Sequence, residues 1–197
     1  MEIVYIRECE GRGSFNIGVR DDDGNTQKYS VMKSHLDSLA LSEGEFISCE
    51  LLDRIIEADE CYRATRVALK LLSHGTHSAR GLYLKLLARR ISKPCCEAAV
   101  RYIIFCGYIN EKRDIKEAAL YLANSQLYGE DKIIARLVGR DYKRAVVEKI
   151  LSELIDSGEI DPRANARRLI EKKLPDTSDK EKIKGLLHKY GYKITEE

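Results

Sequence analysis

The chain repeats itself, and that limits what it can fold into. Gly107-Tyr108-Ile109-Asn110 returns as Gly158-Glu159-Ile160-Asp161, 51 residues later. The apolar positions before these landmarks obey the same shift. Cys96, Ala99, Val100, Ile103 and Ile104 become Val147, Ile150, Leu151, Leu154 and Ile155. Both sets follow i, i+3, i+4, i+7, i+8, which is one buried stripe on an α-helix. A second stripe, Ala64, Val67, Ala68, Leu71 and Leu72, becomes Ile115, Ala118, Ala119, Leu122 and Ala123. One more shift reaches Ala166, Leu169, Ile170, Lys173 and Leu174. Between the stripes a middle helix carries Leu82, Tyr83, Leu86 and Leu87, then Ile133, Ile134, Leu137 and Val138, then Ile183, Leu186 and Leu187. This period predicts tandem three-helix modules at 61–110, 111–160 and 161–197, each burying its face partly on its neighbours in an elongated, curved array. The third is expected to be incomplete, because only residues 193–197 stand where its last helix belongs.

Residues 1–60 follow another rule. Glu2 to Glu8 reads as a strand around Ile3-Val4-Tyr5-Ile6. Phe15, Ile17 and Val19 alternate with Asn16, Gly18 and Arg20, the period of a half-buried strand. Asp23-Gly24 before Thr26–Val31 signals a hairpin, because that turn needs positive φ. Calcium binding by Asp21-Asp22-Asp23 is set aside: Gly24 is misplaced for such a loop, and its final glutamate is missing. A short helix through His35, Leu36 and Leu39 is expected. Ser48 then caps a helix with Leu51, Leu52, Ile55 and Ile56 on its apolar face, ending near Cys61. The fold class is therefore mainly α, three-helix modules preceded by a small β-hairpin or three-stranded sheet.

Charge divides the chain along the same line. Residues 1–60 hold 6 Lys and Arg against 14 Asp and Glu, whereas the remainder holds 28 against 18. An acidic head on a basic body points to an anionic partner for the body. No apolar run spans a membrane, and Met1-Glu2-Ile3-Val4 does not open a signal peptide, so a cytoplasmic monomer is expected. The six cysteines show no C-x-x-C spacing and are expected as free thiols. His74 and His77 are expected in a loop, because Gly75 between them argues against a shared helix face. No phosphate-binding loop, dinucleotide turn, nucleophile elbow or metal-ligand spacing occurs, so neither enzyme activity nor a cofactor is expected.

Capping signals mark the middle helices: Ser78 for the first, Gly129-Glu130-Asp131 for the second, and Thr177, Ser178 or Asp179 for the third, after Pro175. Around the first of these, Ala68-Leu69-Lys70-Leu71-Leu72-Ser73, then His77-Ser78, Leu82 and Lys85-Leu86-Leu87-Ala88-Arg89-Arg90, resembles the opening module of the RecX family, bacterial regulators of the RecA recombinase. Tyr128-Gly129 before Ile133, Ile134 and Arg136-Leu137 resembles that family's second module, and Leu186-Leu187-His188-Lys189-Tyr190-Gly191-Tyr192 its tail. The resemblance covers residues 61–192. It departs at Gly81, where the family carries an acid; a helical glycine costs about 1 kcal/mol relative to alanine. The acidic head resembles extensions of some relatives. The resemblance implies a protein that binds RecA filaments on single-stranded DNA, lies along their groove, and suppresses strand exchange and the linked ATPase.

Contact candidates follow from cationic faces. Lys132, Arg136 and Arg140 recur every four residues off the apolar stripe of the second middle helix. Lys143 and Arg144 extend them, and Arg89 and Arg90 end the first middle helix. Arg163, Arg167, Arg168, Lys172 and Lys173 crowd the first helix of the third module. A rival reading has the helical body bind nucleic acid directly, weakly and without RecA. The tyrosines argue little for base stacking: Tyr83 lies on a core stripe, and Tyr102 and Tyr121 sit in helices expected to pack.

Overall fold

The computed structural model describes residues 1–9, 13–175 and 178–193. Its element order is β1 (Glu2–Cys9), β2 (Ser14–Arg20), β3 (Thr26–Met32), α1 (Lys33–Leu39), α2 (Cys49–Leu72), α3 (Ala79–Leu87), α4 (Lys93–Phe105), α5 (Glu111–Leu120), α6 (Glu130–Val138), α7 (Arg144–Asp156), α8 (Pro162–Lys173) and α9 (Lys180–Tyr190), with a π-helical turn Tyr121–Ser125 extending α5. The protein is mainly helical, with an N-terminal antiparallel sheet of order β1-β2-β3. Two compact units divide it. One holds Met1–Gly75 and Leu82–Tyr108, the other Thr76–Gly81 and Ile109–Glu197.

In the first unit, the strand alternation delivers Ile17, Val19, Tyr29 and Val31 to one core with Ile3, Leu39, Ile47, Ile55 and Ala58. Gly18 pairs with Tyr5, and a Cβ at Gly18 would strike the Tyr5 ring lying across it. Both sheet edges are engaged, which blunts strand-to-strand association. Along β1, Ile3 donates to the Glu45 carbonyl and accepts from Gly44. On β3, the Ser30 amide donates to Asp59 Oδ1 of α2 at 2.8 Å.

Ser48 caps α2 as expected, accepting from the Leu51 amide at 3.2 Å. The helix does not stop near Cys61. It continues to Leu72, through position 60, because Ile55, Ala58, Cys61, Ala64 and Ala68 form one uninterrupted buried stripe. These mostly small residues let α4 approach closely with its own Cys95, Cys96 and Ala99. At the contact, Cys61 and Cys95 form a disulfide with Cα atoms 4.5 Å apart. This corrects the expectation of six free thiols; spacing along the chain cannot reveal a bridge made by helix packing. Next to it, Ser92 donates through its amide and hydroxyl to the two carboxylate oxygens of Glu60, at 3.0 and 2.7 Å. Those bonds hold the Glu60 carboxyl below its ordinary value.

The repeated landmark is a stop-and-restart signal. Gly107 and Gly158 take φ values of 74° and 77°, the left-handed conformation that closes a helix. Ile109 and Ile160 are then buried. Asn110 and Asp161 follow as N-caps, accepting from the Arg113 amide and from the Arg163 and Ala164 amides. The repeat reaches the backbone elsewhere: Arg90 and Asp141, also 51 residues apart, both have positive φ after α3 and α6. It is not perfect, since Ile104 and Val138, placed on buried stripes by periodicity, are 46% and 38% exposed.

The second unit packs α5, its π-helical turn, α6 and α7 around Ile115, Leu122, Ile133, Leu137, Val147, Ile150 and Leu154. Ser78 accepts from the Gly81 amide at 3.0 Å and donates to the Arg140 carbonyl. A Cβ at Gly81 would lie 3.1 Å from Ser78 Oγ and 3.2 Å from Asp141 Oδ2, so this turn leaves little room for a side chain. Asp179 caps α9; Thr177 lies outside the described residues. The C-terminus of α9 meets the N-terminus of α6 end to end. The Gly129 amide donates to the Tyr190 carbonyl at 2.8 Å, and the Asp131 amide to the Gly191 carbonyl at 3.1 Å. Unpaired donors at the start of one helix thus satisfy unpaired acceptors at the end of another. Beyond the joint, the Tyr192 hydroxyl donates to the Leu127 carbonyl at 3.1 Å.

Three outcomes follow. Thiol titration of the unfolded, unreduced chain is expected to count four free groups, and Cys95→Ser to lower stability by about 3–4 kcal/mol without reductant, for a closed loop of this length; six free thiols refute the bridge. Gly129→Ala places a methyl on the Gly191 carbonyl and is expected to cost about 1–3 kcal/mol, seen as faster hydrogen exchange in α9; unchanged exchange refutes the joint. Burial pushes the Tyr192 hydroxyl up to about 12, Arg168 only partly opposing, against about 10 unfolded. Its contribution is therefore complete below pH ~10 and lost as pH rises through ~12. The melting-temperature gap between wild type and Tyr192→Phe should close across that window, and a constant gap contradicts the assignment.

Candidate functional site

The cationic candidates fall in both units. Arg89 and Arg90 belong to the first and are exposed at the end of α3, with Arg89 Nη1 donating to the Lys85 carbonyl at 2.8 Å. The others belong to the second. There α6 carries Lys132 and Arg136, Arg140 follows it, Lys143 and Arg144 begin α7, and α8 carries Arg163, Arg167, Arg168, Lys172 and Lys173. Spacing puts Arg163 and Arg167 on one side of α8.

Their chemical states differ. Lys132 is half-buried and internally committed: its ammonium lies 4.4 Å from the Tyr128 ring centroid and 4.8 Å from that of Tyr190, and it donates to the Lys189 carbonyl at 3.1 Å. It is thus a clamp on the α6–α9 joint. Arg144 is paired with Glu148 at 2.7 Å, and Arg168 donates to Asn165 at 3.3 Å. Arg136 is exposed, 5.9 Å from the Tyr128 ring. Arg140, Lys143, Arg163, Arg167, Lys172 and Lys173 are exposed and in no ion pair among the described residues. These six, with Arg136, are available to an anionic partner. Two acids of this unit are paired with other lysines: Glu159 accepts from Lys116 at 2.9 Å and Glu130 pairs with Lys193 at 3.2 Å.

A second feature escaped the sequence reading. Tyr102 and Tyr121 do not pack into cores; they are 41% and 57% exposed. Tyr102 falls off the buried stripe of α4, and Tyr121 is turned outward where α5 opens into its π-helical turn, with the Gln126 amide donating to the Tyr121 carbonyl at 3.2 Å. In the first unit Tyr102 lines an open groove of about 590 Å³ with Tyr62, Tyr108, Arg66 and Lys33. The Tyr62 hydroxyl accepts from Ser14 Oγ at 3.4 Å and from Arg66 Nη1 at 3.2 Å. Burial raises this phenol, but those two bonds together with the Arg66 charge outweigh it and its net shift is downward. The signal available in the sequence was the three-residue spacing of Tyr102, Phe105 and Tyr108, off the phase of the buried stripe.

Among the described residues, no cluster of His, Cys, Asp and Glu is arranged to hold a metal ion, and no helix is long and apolar enough to cross a membrane. His74 and His77 lie in the loop between α2 and α3.

No protein-family model matches the chain, and no curated protein matches it in sequence. Solved structures match in three dimensions. A crystal structure of a regulatory protein RecX superposes with a TM-score of 0.76 at 17% identity, covering 98% of this chain and 94% of that one. A crystal structure of RecX from Lactobacillus salivarius gives 0.58 at 20% identity, covering 69% of this chain and 90% of that one. The helical body and the N-terminal sheet together thus have the fold seen in RecX regulatory proteins.

Proposed function

We propose that this chain is a non-enzymatic regulator that binds RecA filaments on single-stranded DNA and lowers their strand-exchange and ATPase activity. It thereby modulates recombination, DNA repair and the SOS response in the cytoplasm, as a monomer without a cofactor. The observation that carries this reading is the fold likeness to a regulatory protein RecX over 98% of the chain. The modules at 61–110, 111–160 and 161–197 act as linked contact elements along the filament, where each weak contact raises the effective concentration of the next. Exposed cations of the second unit face the phosphates and acidic groups of such a fibre.

The second reading, direct nucleic-acid binding by the helical body without RecA, draws support from the unpaired cations at Arg163, Arg167, Lys172 and Lys173. Salt separates the two readings. Phosphate-driven affinity for naked DNA falls by orders of magnitude between about 50 and 200 mM salt.

At stoichiometric ratio to RecA, the chain is expected to lower single-stranded-DNA-dependent ATP hydrolysis; an unchanged rate refutes the regulatory reading. Changing Arg163, Arg167, Lys172 and Lys173 together to glutamine removes four exposed charges worth roughly 0.3–0.5 kcal/mol each. That predicts about a tenfold weaker association in filament co-sedimentation, and undiminished association removes these residues from the contact.

A further inference from the structure

The groove of the first unit has a composition that the regulatory reading does not use. Its described lining holds three tyrosines, one arginine and one lysine, and no carboxylate. Its volume of about 590 Å³ falls in the range of small-ligand sites, roughly 300–1,000 Å³. The rings are not spare core. Tyr108 is 56% exposed and Phe105, one helical turn beyond Tyr102, is 89% exposed. Tyr62, from α2, is held in place: its hydroxyl accepts from Ser14 and Arg66, and the Arg66 guanidinium carbon stands 5.9 Å from its ring centroid.

These features select a ligand. Two cations with no acid among the described lining residues call for an anion. Several accessible ring faces call for planar groups that can stack, as bases do on aromatic side chains. A nucleotide carries both. We infer that this groove is a nucleotide-binding site, with the base on the tyrosine faces and the phosphate on Arg66 and Lys33. The ring series continues outside the cavity to Phe105, which a single nucleotide seated among the lining residues does not need. A nucleotide within a single strand therefore fits the site better than a free one. The inference requires no RecA and none of the second unit's cations, so it stands or falls apart from the regulatory reading.

The test uses the full chain and a fluorescein-labelled oligothymidylate about 12 nucleotides long, followed by anisotropy at about 50 mM salt. Tyr108→Ala and Arg66→Gln are each expected to weaken binding about tenfold, with Arg66→Lys recovering part of the loss. Lys149→Gln, an exposed cation outside both candidate surfaces, should leave the affinity within about twofold. The chain has no tryptophan, so its emission comes from tyrosine; the oligonucleotide should quench it, and less so in Tyr108→Ala. All these side chains are exposed or at the groove wall, and circular dichroism checks that each variant keeps its helices. Displacement by thymidine monophosphate at equal nucleotide concentration assigns the free nucleotide as ligand; displacement by unlabelled strand alone assigns the strand. Groove variants that bind as well as wild type overturn the site. So does capture of an acidic tyrosine-containing peptide in preference to either nucleotide probe, which would make the groove a protein-docking surface.

Discussion

Helix α2 buries a single stripe from Ile55 to Ala68, and the rest of the first unit is built on it. Its N-terminal half closes the sheet core beneath Ile17, Val31 and Ile3, and its Asp59 engages the edge of β3. Its C-terminal half receives α4 through small residues, a disulfide and the Glu60–Ser92 pair. A bulky residue at Ala58, Ala64 or Ala68 would disturb this packing, because close-packed interiors accommodate added volume poorly. The stripe also explains why a small three-stranded sheet is stable here: two or three short strands bury too little area to hold alone, and a helix of 24 residues supplies the missing face.

The second unit solves a different problem. Helix α9 buries no residue fully, so apolar packing alone holds it weakly. Its C-terminus is secured instead by carbonyls given to the start of α6, by Lys132 between two tyrosine rings, and by Tyr192 reaching Leu127. Gly129 and Gly191 permit this because any side chain there meets backbone at the joint. The joint also sorts the cations. Lys132 is consumed in holding the unit together, and the more exposed charges along α8 remain for a partner.

The two candidate surfaces have different physical origins. The α8 cations are an electrostatic feature, sensitive to salt and indifferent to fine geometry. The first-unit groove is a shaped feature, in which Arg66 and Tyr62 are positioned by hydrogen bonds and the α4 tyrosine by helix phase.

Much of this was legible in the residues. Periodicity placed the helices because burial of one face is encoded locally, every three or four positions. The Gly-x-Ile-Asn/Asp landmark announced a helix stop, a buried isoleucine and a new cap, since each step depends on residues next to one another. Charge counting located the basic body. What the tertiary structure alone decided were meetings between distant residues: Cys61 with Cys95, Tyr192 with Leu127, Gly129 with Gly191, and Tyr62 with Tyr102 and Tyr108 around one groove. It also decided which tyrosines and cations face water, where the sequence had put Tyr102 in a helix expected to pack and had counted Lys132 among the contact candidates. Local pattern prescribes elements and their faces; only packing chooses which faces meet, because that choice is set by contacts whose partners lie tens of residues apart.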